Sequence, residues 1–292
     1  MTGMIGMRGK KNYYNCINIT VLVFAAAVFV SGIGWKAQMF RKESAPSVFV
    51  FILSVVSVHA IKAVRLYLAL YGTGISWTSF LKAYCKVTPV SVSLPFKIGE
   101  IFRMYCYGHE IKNGLRGTII ILLDRFMDTL ALVTIILVIC FFNHGTISQV
   151  VYVLILFLAV LLITYYVFPG IYTFWKQFLL SVKATERRLG CLKILEKLRI
   201  VQDEISGVTR GRGALLYALS LIAWAVELGS VALISGYEGN RNAETVISNY
   251  LSAALGIDKS AELQHFVFYS VFILAAVYLL LKLVQKSKQQ GR

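Results

Sequence analysis

The fold is decided by the stretch at residues 117–142, which reads GTIIILLDRFMDTLALVTIILVICFF. It exceeds the roughly 20 apolar residues that an α-helix needs to cross the hydrocarbon core of a bilayer. Three charged residues interrupt it, namely Asp124, Arg125 and Asp128. A charged residue at the centre of a membrane helix costs about 2.5–3.5 kcal/mol on insertion scales, so such residues usually face protein or a polar cavity and serve a function. The stretch therefore predicts a membrane helix with a polar face.

The same apolar pattern recurs along the whole chain. Of the 292 residues, 58% are hydrophobic and 15% are charged, whereas ordinary soluble domains contain about 25% charged residues. We therefore expect an all-α, polytopic integral membrane bundle with six full spans, forming a single transmembrane domain over residues 1–292. The five further spans are predicted at residues 17–35, 48–70, 150–168, 214–235 and 263–284.

Two weaker segments predict re-entrant or half-membrane helices. Residues 77–94 are apolar overall but contain two lysines and a proline, which makes a full span unfavourable. Residues 246–257 are weakly apolar and form the second candidate. The span at 150–168 is expected to end at Pro169-Gly170, because proline disfavours a continuous helix.

The net charge of +16 is carried mostly at the ends of apolar runs. That placement favours anionic lipid headgroups as the counter-charge, and no nucleic-acid partner is expected. The basic N-terminal tail, the segment 171–212 and the C-terminal tail are expected on the cytoplasmic side, and the acidic loop 236–262 outside. The basic residues at 36–42 lie in the first external loop and count against this orientation.

The segment 171–212 is the one extended polar region, and it is predicted to be a cytoplasmic connector. Apolar residues recur in it at roughly helical spacing, which favours an amphipathic helix on the bilayer surface. The alternative is a helix that docks a partner protein. The recurring apolar residues are Leu189, Leu192, Leu195, Leu198 and Ile205.

The five cysteines form no CxxC pair, so neither a disulfide framework nor a zinc site is expected. Serine, histidine and cysteine show no arrangement typical of nucleophilic catalysis. We therefore expect no catalytic residue, metal or cofactor.

The three charged residues of the central stretch share one helical face at about 100° per residue. Asp124 and Asp128 are spaced i,i+4, and Arg125 and Asp128 are spaced i,i+3, so their side chains are within mutual reach. Arg125 can neutralise one carboxylate and leave the other for Arg103, Lys97 or a ligand. The alternative is an ion cluster that only fixes helix packing.

A break in the backbone precedes this face. Pro95 disfavours a continuous helix, and Gly99 permits an unusual backbone or close packing. A helix beginning near Ile98 would offer free N–H groups to an anion such as phosphate, and Arg103 could assist as a phosphate fork. The alternative is an ordinary interfacial loop followed by a helix.

The span at 214–235 contains one carboxylate, Glu227. It is a candidate for a second half of a binding site. A role as a packing partner is the alternative.

These residues together resemble the membrane domain of lysylphosphatidylglycerol synthetases, also called the flippase-like domain. The resemblance implies a multispanning inner-membrane protein that handles lipids. In two-domain members, it implies that the membrane domain translocates aminoacylated phosphatidylglycerol and that a separate soluble domain makes it. The present sequence ends soon after the last predicted span, so no aminoacyl-transferring domain is expected, and residues 236–244 lack the proline expected there. The resemblance rests on Leu94-Pro95, Gly99-Glu100, Arg103, Leu123-Asp124-Arg125 and Asp128, with a weaker likeness at 254–257.

The resemblance implies a lipid flippase whose partners are membrane lipids, chiefly anionic phospholipids. Its cations would attract a headgroup phosphate, and its carboxylates would bind a cationic or hydroxyl part. The alternatives are the membrane part of a phosphatidylglycerol lysyltransferase system, with a soluble partner enzyme and resistance to cationic peptides, or a scaffold that transports nothing. The candidate binding residues are Lys97, Glu100, Arg103, Asp124, Arg125 and Asp128, with Glu227 as the second-half candidate and Pro95 and Gly99 as the backbone break.

Overall fold

The computed structural model of the chain describes residues 2–31, 45–94, 98–143, 148–181, 185–237 and 243–290. These residues form ten α-helices and no strand, which confirms the all-α class. In chain order the helices are α1 (Thr2–Ser31), α2 (Ala45–Ala69), α3 (Trp77–Ser93), α4 (Ile98–Glu110), α5 (Gly114–Asn143), α6 (Gln149–Ser181), α7 (Glu186–Thr209), α8 (Gly213–Tyr237), α9 (Ala243–Ala254) and α10 (Ala261–Gln290).

Within these described ranges, six helices are long and apolar enough to cross a membrane. This confirms the six predicted spans of a multi-pass membrane protein. Residues 32–35 of the first predicted span lie outside the described residues. The six windows are Tyr14–Ser31, Pro46–Ala69, Gly114–Phe142, Gln149–Ser181, Gly213–Ser235 and Ala261–Gln285.

The chain divides into two compact units. The first comprises Met1–Ala60, Ser76–Tyr107 and Val226–Arg292, and the second comprises Ile61–Ile75 and Gly108–Ala225. The helices α2, α4 and α8 therefore contribute residues to both units. The single transmembrane domain expected from the sequence stays a prediction.

The first unit is built around α3, which packs against α10 and α1. Phe80, Tyr84, Val87 and Val90 are among its buried residues. With 17 residues at about 1.5 Å per residue, α3 is shorter than the roughly 30 Å hydrocarbon core of a bilayer. This length suits a half-membrane helix, and a re-entrant path stays a prediction.

The helices α3 and α4 approach each other closely at Gly99. A Cβ atom added to Gly99 would clash with the Cα of Ser91 and lie 2.9 Å from its carbonyl oxygen. Both contacts fall well inside van der Waals distance, so the crossing requires glycine. Pro95 and Lys97, which lie between the two helices in sequence, are outside the described residues.

In the second unit, α5, α6 and α7 pack against one another. The prediction that the fourth span ends at Pro169 is wrong, because α6 continues through this proline to Ser181. Proline has no N–H, so it cannot donate to the carbonyl of Tyr165 one turn earlier. The side-chain amide of Gln202 on α7 donates to that carbonyl at 3.3 Å instead.

The polar segment 171–212 is thus divided between the end of α6 and the whole of α7. The helix predicted there exists as α7, which packs along α5 and α6. Its apolar residues are only partly covered, since Leu189 is 51% exposed and Leu198 is 49% exposed. A cytoplasmic position on the bilayer surface stays a prediction.

Candidate functional site

Arg65 on α2 is the centre of a buried ion cluster in the second unit, and its residue surface is 3% exposed. Its Nε and Nη2 atoms lie 2.9 Å and 2.8 Å from Oδ1 of Asp124. Its Nη1 atom donates to Oδ1 of Asp128 at 2.6 Å and to Oγ of Ser220 at 2.7 Å. One guanidinium therefore joins α2, α5 and α8 through charge-assisted hydrogen bonds.

The helices supply these partners through simple spacings. Asp124 and Asp128 stand four residues apart on α5, which puts both carboxylates on the face that meets Arg65. On α8, Ser220 accepts from Arg65 and donates to the carbonyl of Leu216 at 3.0 Å. One turn later, the indole Nε1 of Trp224 donates to the backbone carbonyl of Asp128 at 3.3 Å.

Two further cations complete the site, which we call the Arg65 cluster: Lys62, Arg65, Asp124, Arg125 and Asp128. Lys62 lies over the ring of Trp224, with 5.4 Å from its Nζ to the ring centroid. Lys62 and Arg125 both attract the carboxylate of Asp128 electrostatically. Three cations and two carboxylates give the cluster a formal net charge of +1.

Burial divides the Arg65 cluster into a closed part and a more open part. The side chains of Arg65 and Asp124 are 3% and 1% exposed, whereas that of Asp128 is 14% exposed. Lys62 and Arg125 are half-buried. The more accessible part of the cluster therefore carries two cations and one carboxylate.

Sequence reasoning missed Arg65 as a site residue. Arg65 lies in the last part of the span predicted at 48–70, where a basic residue is typical of the membrane interface, whereas its side chain is buried in an ion cluster. Arg125 was expected to neutralise one carboxylate, and the cation that hydrogen-bonds both carboxylates is Arg65. The sequence did contain a signal for such a residue, because two carboxylates on one face of a span predict a buried cation on a neighbouring span.

The candidate residues Glu100 and Arg103 belong to the first unit, unlike those of the Arg65 cluster. Arg103 is 4% exposed, and its Nη1 lies 3.8 Å from Oε2 of Glu100. Also on α4, the ring of Phe102 makes a cation–π contact with the ammonium of Lys86. The same ammonium donates a hydrogen bond to the side-chain oxygen of Asn18 at 2.7 Å. These contacts hold the first turns of α4 against α3 and α1.

Glu227 also lies in the first unit and is 3% exposed. The phenol of Tyr250 on α9 donates to its Oε1 at 2.6 Å. The candidate second-half residue is therefore a buried carboxyl with a specific partner. Across the ranges that the structure describes, no group of three or more histidine, cysteine, aspartate or glutamate residues could hold a metal ion.

Comparison with known proteins identifies one matching family model, described as "Lysylphosphatidylglycerol synthase TM region", over residues 16–239. The matched range contains the whole Arg65 cluster, the α3–α4 crossing and Glu227. No curated protein and no solved structure matches the chain.

Proposed function

This chain belongs to the family of the lysylphosphatidylglycerol synthase transmembrane region, and we propose that it is a flippase that moves an anionic phospholipid between the two leaflets of a membrane. Membership of this family makes it a multi-pass membrane protein related to lipid handling. The observation that carries the proposal is the Arg65 cluster, an ion cluster of net charge +1 that lies within two candidate spans.

The charge of the cluster suits a headgroup phosphate. A cluster that served packing alone would need only enough cations to balance its carboxylates. Here two of the three cations are on the more accessible part, where Lys62 and Arg125 are half-buried. An anion of one charge would neutralise the cluster, which lowers the cost of holding both charges at membrane depth.

The phosphate would bind Arg65 at the position that Asp128 now occupies. It is the more exposed of the two carboxylates and binds Nη1 of Arg65. A phosphate oxygen can take the place of Oδ1 of Asp128 on this nitrogen, while Asp124 keeps Nε and Nη2 in position. Guanidinium groups bind phosphate through such paired N–H donors. Transport would then follow alternating access around this site.

The test is lipid exchange in vesicles that contain the purified chain and fluorescent phosphatidylglycerol, with a membrane-impermeant quencher to report the leaflet. We expect Lys62→Gln and Arg125→Gln each to slow exchange about tenfold or more, since each removes a charge-assisted contact. Lys176→Gln is the matched control, because that lysine binds Tyr172 and Glu196 away from the cluster. Wild-type vesicles without exchange, or cluster variants with wild-type rates, would contradict the proposal.

The family description favours a second candidate, in which the chain serves a lysylphosphatidylglycerol-synthesising system and carries the aminoacylated lipid. In this case a soluble partner enzyme would supply the substrate. Vesicles loaded with lysylphosphatidylglycerol instead of phosphatidylglycerol separate the two substrates. Formation of lysylphosphatidylglycerol by the chain alone, given charged lysyl-tRNA, would favour an enzyme over a flippase.

A further inference from the structure

Arg212 lies in the turn between α7 and α8 and is not a member of the Arg65 cluster. The residue before it, Gly211, has a φ of +74°, which is in the left-handed region that favours glycine. The apolar window of α8 begins directly after Arg212, and the apolar window of α2 ends at Ala69. Positions that flank a span are those where basic side chains meet lipid headgroups.

The C-terminal end of α2 holds the guanidinium of Arg212 in place. Its Nη1 atom donates to the backbone carbonyls of Leu68 and Tyr71 at 3.3 Å and 3.4 Å. The guanidinium also lies over the ring of Tyr71, with 4.7 Å from its Cζ to the ring centroid. The last carbonyls of a helix lack intrahelical donors, so a cation is favourable at this position. These three contacts fix the plane of the guanidinium.

The other edge of this guanidinium is open to a ligand. Within the described part of the chain, the two carbonyls are the only hydrogen-bond acceptors that the Arg212 side chain contacts. Its Nε and Nη2 atoms therefore carry N–H groups that no described residue uses. Arg212 is half-buried, and Tyr71 beside it is 63% exposed, so a ligand can approach. Paired N–H donors of this kind match two oxygens of one phosphate group.

Arg212 and the Arg65 cluster lie along the same two helices. On α2, Arg65 is one turn before Leu68, whose carbonyl binds Arg212. On α8, Ser220 accepts from Arg65 and comes two turns after Arg212. At 1.5 Å per residue, Arg212 and Ser220 are about 12 Å apart along the axis of α8. A fixed guanidinium is therefore placed at the end of the two spans, about two turns from the cluster.

We propose that Arg212 is a phosphate-binding site at the membrane boundary, where the headgroup of an anionic phospholipid docks before it reaches the Arg65 cluster. The N–H groups of Nε and Nη2 would hold two phosphate oxygens, while Nη1 keeps its contacts with α2. The docking role rests on the proposed function, whereas the phosphate site itself does not. Inorganic phosphate presents the same oxygens, so the experiment must distinguish a lipid from a soluble anion.

The phosphate site is tested by calorimetric titration of the purified full chain in a maltoside detergent, which contains no phosphate. The background is Lys62→Gln with Arg125→Gln, which removes both accessible cations of the Arg65 cluster, and the probes are dihexanoyl-phosphatidylglycerol and inorganic phosphate. We expect Arg212→Gln to weaken the binding of phosphatidylglycerol about tenfold or more. Arg210→Gln is the matched control, since it removes the same charge from an exposed side chain two residues away. We expect it to change the affinity by less than about twofold.

Arg212→Lys separates the paired donors from the charge alone. Lysine keeps the charge and can still donate to a carbonyl at the end of α2, so the fold is preserved, but it has no planar pair of N–H groups. We expect it to bind phosphatidylglycerol about threefold or more weakly than arginine does. No binding of either probe, or binding that neither Arg212 variant weakens, overturns the site. Tighter binding of phosphatidylglycerol than of phosphate supports the lipid headgroup, and the reverse order overturns the docking role.

The docking role is tested by exchange rates in vesicles that contain increasing fractions of fluorescent phosphatidylglycerol. We expect Arg212→Gln to raise the half-saturating fraction about fivefold or more and to leave the maximal rate within about twofold, because this residue acts before the lipid reaches the cluster. A lower maximal rate with an unchanged half-saturating fraction overturns the docking role and leaves the flippase standing. If the wild type exchanges no lipid, the flippase and the docking role both fail, and the titration still decides the phosphate site.

Discussion

Arg65 connects two carboxylates of the second unit, because one guanidinium forms hydrogen bonds with both Asp124 and Asp128. Removal of one partner from a buried ion pair leaves an uncompensated charge, which costs about 3–5 kcal/mol. We therefore expect Arg65→Ala to lower the free energy of unfolding by about this amount. Thermal or denaturant unfolding in detergent measures it.

A double variant distinguishes charge from packing. In Arg65→Ala with Asp124→Asn, the most buried carboxylate is removed together with its guanidinium partner, and Asp128 keeps its electrostatic attraction to Lys62 and Arg125. We expect it to be more stable than Arg65→Ala alone, even though it carries one more substitution. A double variant that is no more stable than the single one would show that the guanidinium acts through its packing.

Gly99 is the residue on which the α3–α4 crossing depends. Gly99→Ala brings a methyl group into a steric clash with the Cα of Ser91, so the two helices must separate. Overpacking typically costs about 1–3 kcal/mol, and we expect a loss of stability in this range. The control is Gly229→Ala within α8, where an added Cβ atom meets nothing within 4 Å and a higher helix propensity should stabilise the chain slightly.

At the scale of the elements, α6 shows how a helix continues past proline. The amide of Gln202 replaces the donor that Pro169 lacks, and it also ties α7 to α6. Gln202→Leu should leave the Tyr165 carbonyl without this donor and cost about 1–3 kcal/mol. In a Pro169→Ala background the helix supplies its own N–H, so the same substitution should cost less. A double-mutant cycle of unfolding free energies measures the difference, and additive effects would contradict this account.

The contact between α6 and α7 is expected to weaken in acid. A hydrogen bond from Tyr172, and then one from Lys176, lowers the pKa of Glu196 below its ordinary value of 4.5. A carboxyl whose pKa is lower in the folded chain stabilises the fold above its unfolded pKa, and this contribution is lost as the pH falls through the folded pKa. We expect α7 amides to exchange hydrogen faster below about pH 4, and we expect Glu196→Gln to abolish that acid dependence.

For the whole molecule, the six candidate spans found among the described residues would put both termini on one side of the membrane if no other segment crosses it. We propose that this side is the cytoplasm and that the membrane is the inner membrane, and the basic tails support this orientation. Reporter fusions at residue 292 and in the loop 236–262 should give a cytoplasmic and an external signal, respectively. The opposite pattern would mean that the basic residues at 36–42 determine the orientation.

The sequence predicts the architecture well, because the length and composition of each span are local properties. The face shared by Asp124 and Asp128 also follows from local spacing. The cation that binds these carboxylates cannot be predicted from local spacing. The choice between Arg65, Arg103 and Arg125 depends on which helices pack together. Pro169 led to a wrong prediction for the same reason, because the donor that replaces its missing N–H lies on α7. Prediction from sequence therefore failed where a residue on one helix supplies the charge or the hydrogen-bond donor that a neighbouring helix lacks.

The net charge of the Arg65 cluster also has an electrical consequence. A charge that moves across a membrane gains or loses about 2.3 kcal/mol per elementary charge for each 100 mV of potential. In the proposed flippase, a cluster of charge +1 that carries a phospholipid of charge −1 would be neutral, so voltage would do no work on the loaded form. The empty form would keep its charge of +1, so the membrane potential would act on it. A negative interior would therefore favour the orientation of the empty site towards the cytoplasm, without any change in its affinity for lipid.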